Sequence, residues 1–186
     1  MVVGFKNRPL QQNTNESPRP HQLCVLRDGA HNSAQGGIAG NLNEGAWSVI
    51  VAGGHYDDVD KGEVIDYCGT EGTATNPTDV TQYLLKNVQN RQPVRVIRSE
   101  RCKNPIYAPA KGYRYDGLYK VVSAKILKPE KSHYIFELFR EEGQDPIRYQ
   151  GDECRPTQEE VAEYNKEQAE REYRAPTEQG KGKKKA

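Results

Sequence analysis

What most limits how this chain can fold is a repeated period of two, with one internal stretch at helical spacing set among the repeats. In 46–52, AWSVIVA, Trp47, Val49 and Val51 fall on one side and Ser48, Ile50 and Ala52 on the other. Neither side is strongly polar, which predicts a strand buried on both faces, with the lone Trp47 in the core. Residues 63–69, 93–99, 117–127 and 133–141 are further β-type runs, with KPEKS (128–132) as the turn between the last two. A shorter candidate strand runs from Leu23 to Arg27. Residues 27–41 are glycine-rich and predict loop. The exception to the β pattern is 76–90, NPTDVTQYLLKNVQN. There Asn76 can cap, Pro77 suits the first helical position, and Val80, Tyr83, Leu84 and Val88 make an apolar stripe. Short strands around one helix predict an α+β domain on a curved, barrel-like sheet.

The length of 186 residues allows one domain with a real core, yet only 34% of them are hydrophobic. Much of the chain must therefore be surface, loop or tail. Residues 1–22, rich in Asn, Gln, Pro and Ser, are expected to form an arm, and 23–155 the folded domain. In the remainder, 156–186, Thr157 and Glu160 have capping-box spacing, and the helix predicted from there to about Arg174 is nearly all polar. Such a helix is expected to be solvated or lightly docked. The final KGKKKA predicts a disordered basic tail, suited to a nuclear address or to nonspecific DNA contact. The longest apolar run, 49–52, is far too short for a membrane span, and no charged-then-apolar leader opens the sequence. Neither a membrane nor a secretory signal is expected. The cysteines at 24, 68, 102 and 154 form no CxxC pair, which predicts free thiols and no zinc site.

A net charge of +1 predicts no partner, but its distribution does. Between Arg91 and Lys128 stand ten Lys or Arg against Glu100 and Asp116 alone. A basic segment of this kind can follow a phosphate backbone, or can be a merely solvated face. Between Gly40 and Gly72 the balance reverses, with seven acids and only Lys61 as a base. Within that acidic part, GGHYDDVDKGEVIDYCGTEG (53–72) packs Asp57, Asp58, Asp60 and Asp66 with His55, Tyr56 and Tyr67 between glycines. Acid catalysis, a metal loop, an acidic surface turn and the lining of a pocket for a flat polar ligand all fit such a cluster.

Three blocks choose among these. They are GGIAGNLNEGAWSVIVAGGHYDDVDKGEVIDYCGTEG (36–72), PVRVIRS (93–99) and YAPAKGYRYDGLYKVV (107–122). Together they resemble the SRA (SET and RING associated) domain, also called YDG after a motif present here as Tyr115-Asp116-Gly117. Block order and spacing agree from about Gly29 to Tyr149. The resemblance implies a PUA-like fold and the binding of double-stranded DNA that carries 5-methylcytosine or a related base, flipped out of the duplex into a pocket. It implies a nuclear, non-catalytic reader that works beside chromatin proteins, without a cofactor. No SET or RING pattern is visible in the 186 residues, so a free-standing form is expected.

Carried over position by position, the resemblance assigns the pocket. Asp58 accepts a hydrogen bond from the cytosine N4 amine. A carboxylate there repels thymine, whose carbonyl would leave a buried acceptor unpaired at a cost of roughly 1–3 kcal/mol. Tyr67 is one stacking wall. The other wall, a tyrosine in the family, is His55 in this register, with Tyr56 as the alternative. Gly53 and Gly54 let backbone amides come close to the ring, the Cys68 carbonyl accepts from N4, and Ala52 and Thr70 line the pocket near O2 and the 5-methyl group. A loop before the Trp47 strand enters the duplex; here it is HNSAQGG (31–37), with Gln35 at its tip to meet the orphaned guanine. The family's second loop, which reads the neighbouring CpG through a basic tip, corresponds to TATNPTDV (73–80), which holds no Lys or Arg. Arg95, Arg98, Lys111, Arg114 and Lys120 are the candidates for gripping the DNA backbone.

Plainer readings stand beside these. Asp57 and Asp60 are expected to be solvated or to cap backbone amides, and Tyr115-Asp116-Gly117 to be scaffold, with turn chemistry before a strand and Tyr115 in the core. His31 and His133 carry no functional expectation. The competing functions are a metal-dependent nuclease, using Asp57, Asp58, Asp60 and His55, and a protein-interaction adaptor built on the C-terminal helix.

Overall fold

The computed structural model describes residues 29–33, 36–54 and 57–174. The expected arm, the strand at 23–27 and the basic tail lie outside the described residues, as do Gln35, His55 and Tyr56. Among the described residues seven strands form one sheet: β1 (Ile38–Asn41), β2 (Gly45–Val51), β3 (Val59–Asp60), β4 (Val64–Cys68), β5 (Val94–Ser99), β6 (Tyr113–Lys128) and β7 (His133–Arg140). Helix α1 (Asp79–Asn90) lies between β4 and β5, and α2 (Gln158–Arg174) follows β7. No helix among the described residues is long and apolar enough to cross a membrane.

The strand order is β1-β2-β5-β6-β7-β4-β3, with β2–β5 the parallel pair. Among the described residues the backbone ladder therefore stays open between β1 and β3, and the sheet does not close into a barrel. It curls instead. The Tyr67 hydroxyl on β4 lies 3.3 Å from the Ile50 carbonyl on β2, a strand four places away in the order. Side chains thus bridge a gap that the ladder leaves.

The predicted strands at 46–52, 63–69, 93–99 and 133–141 are found to within a residue or two. β6 begins earlier than predicted, at Tyr113, and the KPEKS turn is a short 3-10 turn at Pro129–Lys131. Two strands were not predicted. β1 is cut from a glycine-rich segment, and β3 is a two-residue edge. As expected, β2 is buried on both sides: Val49 and Val51 join the main core, while Ile50 meets Ala30 and Ile97 in a second cluster. Trp47 is not core; it is half-buried, with its indole N–H donating to Glu44 at 3.0 Å.

Helix α1 starts later than predicted. Thr78, not Asn76, is the cap, its hydroxyl accepting from the Thr81 amide at 3.3 Å, so Pro77 precedes the helix. Leu84 of the apolar stripe is fully buried, with Val80, Tyr83 and Val88 packed against the core. The stripe also buries polar Asn87, whose amide group takes the place of a strand neighbour. Its Oδ1 accepts from the Ala46 N–H at 2.6 Å and its Nδ2 donates to the Ala46 carbonyl at 3.0 Å. Before α2, the capping box forms as predicted: Glu160 accepts from the Thr157 N–H at 2.7 Å, and Thr157 from the Glu160 N–H at 3.2 Å. Most described side chains of α2 are exposed.

Candidate functional site

Of the predicted pocket residues, Asp58 and Cys68 are joined by a hydrogen bond next to Tyr67, whereas Ala52 packs on the second cluster with Ile50. Ala52, Gly53 and Gly54 follow β2, Asp58 precedes β3, Tyr67 and Cys68 close β4, and Thr70 follows it. Asp58 is half-buried, and its Oδ1 accepts from the Cys68 N–H at 2.7 Å. This bond fixes the carboxylate against the end of β4. Burial pushes the Asp58 carboxyl above its ordinary range, against the lowering effect of the Cys68 hydrogen bonds and the Lys103 charge. Burial and the nearby Asp58 charge push the Cys68 thiol up to about 11, so it stays protonated. Cys68, Cys102 and Cys154 are free thiols.

Tyr67 is only 4% exposed and belongs to the main core. Its hydroxyl reaches the Gly37 carbonyl at 3.1 Å as well as that of Ile50. The ring is thus present at the site but not standing open, and a flat ligand meets its face only after neighbouring atoms shift. Gly53 has a reason of its own: a Cβ there would collide with the Arg101 carbonyl oxygen. Nothing lies within 4 Å of a Cβ at Gly54, so that position is open. The Thr70 carbonyl is held by the Thr81 hydroxyl of α1 at 3.0 Å.

The acidic cluster does not act as one group. Asp57 is exposed, as expected. Asp60 is not solvated; it caps the Gly62 N–H at 3.0 Å, one of the two expected roles, and does more. It is 7% exposed and takes both arms of the Arg98 guanidinium, at 2.7 and 2.8 Å. Arg98 also donates to Asp116 at 2.8 Å and to the Gly62 carbonyl at 2.8 Å, and Asp116 receives Arg114 at 2.6 and 2.9 Å. Two cations and two anions are buried together, which is what removing charge from water requires. Burial lowers the Arg98 pKa, but Asp60 and Asp116 more than offset that, and the net shift is upward. Burial would raise the Asp60 carboxyl, and Arg98 brings it below its ordinary value.

This network corrects two of the backbone-gripping assignments. Arg98 is fully buried and Arg114 is 5% exposed, so neither meets a phosphate; both are structural. Val94, Val96 and Arg98 share one face of β5, and the period of two that placed the valines inside placed Arg98 there too. Arg95 is half-buried, its Nε donating to the Ala30 carbonyl at 3.2 Å. Lys111 and Lys120 keep side-chain exposures of 45% and 56%, in loose pairs with Glu100 and Glu141. Sequence reading missed Arg101 and Lys103, both exposed in the turn after β5. The Arg101 backbone abuts Gly53 and the Lys103 charge acts on Asp58, so this turn flanks the site.

The motif Tyr115-Asp116-Gly117 is scaffold, but not a turn. It lies inside β6, where Val96 pairs with Gly117 and Ile97 with Tyr115, leaving Asp116 as the extra residue of a bulge. Gly117 has φ +111, which a bulge of this kind asks of glycine. The bulge turns the Asp116 carboxylate inward to Arg98, while Tyr115 is half-buried against the second cluster.

The sequence profile of the SAD/SRA domain matches residues 20–144. A UHRF1-like protein of Cryptococcus neoformans var. grubii is 38% identical over 121 residues, covering 54% of this chain and 35% of that protein. The E3 ubiquitin-protein ligase UHRF1 of Rattus norvegicus is 35% identical over 151 residues, covering 64% of this chain and 19% of that protein. This chain therefore spans about a third or less of these curated relatives. Among solved structures, the modification-dependent TagI restriction endonuclease is 29% identical with a TM-score of 0.58, over 71% of this chain and 54% of that one. The SUVH5 SRA domain in complex with hemimethylated CG DNA is 27% identical with a TM-score of 0.54, over 68% of this chain and 88% of that one.

Proposed function

The chain belongs to the SAD/SRA domain family, and from that premise we propose that it binds duplex DNA by drawing one modified cytosine out of the helix and holding it between β2 and β4, without turnover. The observation that carries this reading is the Asp58 carboxylate, half-buried and anchored on the Cys68 amide beside Tyr67. A desolvated acceptor of fixed direction distinguishes an exocyclic amine from a carbonyl. In this reading 23–155 is the DNA-binding unit and the setting is nuclear. His55 or Tyr56 supplies the second wall, Gly54 an open backbone approach, and Gln35 meets the guanine left behind. Lys111, Lys120, Arg101 and Lys103 supply charge toward the phosphates, with Arg95 less available.

Magnitudes set what to expect. A buried methyl is worth about 0.8 kcal/mol, roughly fourfold in affinity, so discrimination by methyl contact alone is modest. Extrusion costs a few kcal/mol and stacking returns about 1–3 kcal/mol per base. The 73–80 segment carries no cation and is a compact turn, with the Thr73 N–H on the Asn76 carbonyl at 2.9 Å. Weak selectivity for CG context follows. The test is a titration of duplexes that differ in one cytosine's modification, in CG and non-CG contexts, for the native chain and Asp58→Ala. The variant is expected to lose its preference for modified duplex and keep salt-dependent nonspecific binding. Equal loss on modified and unmodified duplexes would sink the assignment of Asp58.

The likeness to a modification-dependent endonuclease favours a second reading, cleavage of modified DNA. Against it, the D-D-V-D carboxylates are already divided, Asp60 being held by Arg98 and Asp58 by Cys68. Modified duplex incubated with Mg²⁺ is expected to remain intact.

A further inference from the structure

His31 has no place in the reading above, yet it is fully buried and both of its ring nitrogens are used. Nε2 lies 3.1 Å from the Gly36 carbonyl oxygen, and Nδ1 lies 2.9 Å from the Ser48 hydroxyl of β2. A carbonyl only accepts, so Nε2 carries the proton and Nδ1 accepts from Ser48. Burial brings the imidazole down to about 4, with the Arg95 charge adding to the effect, so the ring is neutral at neutral pH. The next residue, Gly37, is anchored as firmly. Its carbonyl accepts from the Ile50 N–H at 2.7 Å and from the Tyr67 hydroxyl at 3.1 Å. A side chain at Gly37 would collide with that hydroxyl, at 2.7 Å from its Cβ.

We propose that His31 is a positioning residue which, with the Tyr67 hydroxyl, clamps Gly36–Gly37, the C-terminal root of the 31–37 loop, at a set distance from the pocket wall. One dipeptide is tied on one side to the start of its own loop and to β2, and on the other to the pocket wall on β4. A loop that enters a duplex and a pocket that receives the extruded base must be in register along the DNA. This chain of hydrogen bonds, Ser48 to His31 to Gly36, then Gly37 to Tyr67, supplies that register. The inference rests on the reading that the 31–37 loop enters the duplex.

The experiment measures binding to a duplex holding one modified cytosine and to the same strand alone, for His31→Ala, Gln35→Ala and the double variant. His31→Ala is expected to weaken duplex binding roughly tenfold, the scale of one lost hydrogen bond, and to leave single-strand binding unchanged. In the Gln35→Ala background it adds nothing, because it acts through the loop. His31→Gln, which can both donate to Gly36 and accept from Ser48, restores most of the loss. Ser48→Ala removes only the hydroxyl that orients His31, and it gives a smaller duplex-specific loss, again absent in the Gln35→Ala background. Should His31→Ala not fold, Ser48→Ala with Gln35→Ala decides the matter by the same criterion. Losses equal on duplex and single strand, or additive with Gln35→Ala, overturn the inference and leave the loop reading standing. A silent Gln35→Ala overturns the loop reading and the inference with it.

Discussion

Asp58 and His31 are opposite cases of a titratable group held neutral-leaning by burial, and their consequences for stability have opposite signs. The folded Asp58 carboxyl binds its proton more readily than the unfolded one, so ionising it costs folding free energy once pH is above its raised pKa. Asp58→Asn keeps an oxygen for the Cys68 N–H and removes that cost. It is expected to raise the melting temperature at neutral pH by a few degrees, with the gain shrinking as pH falls, while the preference for modified duplex is lost because an amide N–H faces the N4 amine. A thermal melt and a binding titration on one preparation check both halves. For His31 the unfolded ring takes a proton below its ordinary 6.5, whereas the folded ring refuses it down to about 4. Stability therefore declines as pH falls through that window. Denaturant melts across it are expected to show the decline, and to show it flattened in His31→Gln. Neither effect was legible in the sequence, where nothing local showed how deeply Asp58 or His31 would be buried.

The elements were largely legible because their patterns are long. β2, β4, β5, β7 and α1 each carry enough apolar spacing to settle type and face. β1 and β3 were not, because a four-residue segment with glycine and a two-residue edge hold no period; their partners β2 and β4 define them. The costliest misreading was of charge. Arg98 and Arg114 were counted in a basic surface, although strand alternation already put Arg98 with Val94 and Val96. The bulge at Asp116, invisible to any count of period two, supplies the second of its two counter-charges, Asp60 being the first. Removing one member of such a network leaves others buried and unpaired, so Arg98→Ala is expected to cost about 3–5 kcal/mol in a denaturant melt. Below its melting point the variant should keep the native salt slope of DNA binding, whereas Lys120→Ala should reduce that slope by about one unit. A reduced slope in Arg98→Ala would return this residue to the DNA surface.

At the scale of the molecule, the open sheet is curled until β4 stands across from β2, and the candidate site lies in that gap. The C-terminal helix stands largely apart from it. Pro156 is buried and the Arg155 carbonyl accepts from Arg114 at 3.2 Å, but beyond Thr157 most described side chains are exposed. A chain ending at Thr157 is therefore expected to melt within a few degrees of the full chain and to keep its preference for modified duplex. Its affinity should fall only at low salt, through loss of the final lysines. Loss of the preference itself would favour the adaptor reading. By itself the sequence determined the class of fold, most strand faces and the capping of α2, because each rests on local spacing or on a motif contained in one segment. Only the tertiary structure decided which charges are buried, how the sheet of the described residues curls, and that the Tyr67 hydroxyl meets the Gly37 carbonyl. Those depend on partners 17 to 38 positions apart, brought together by the curl of the sheet, and no local pattern encodes a meeting at that range.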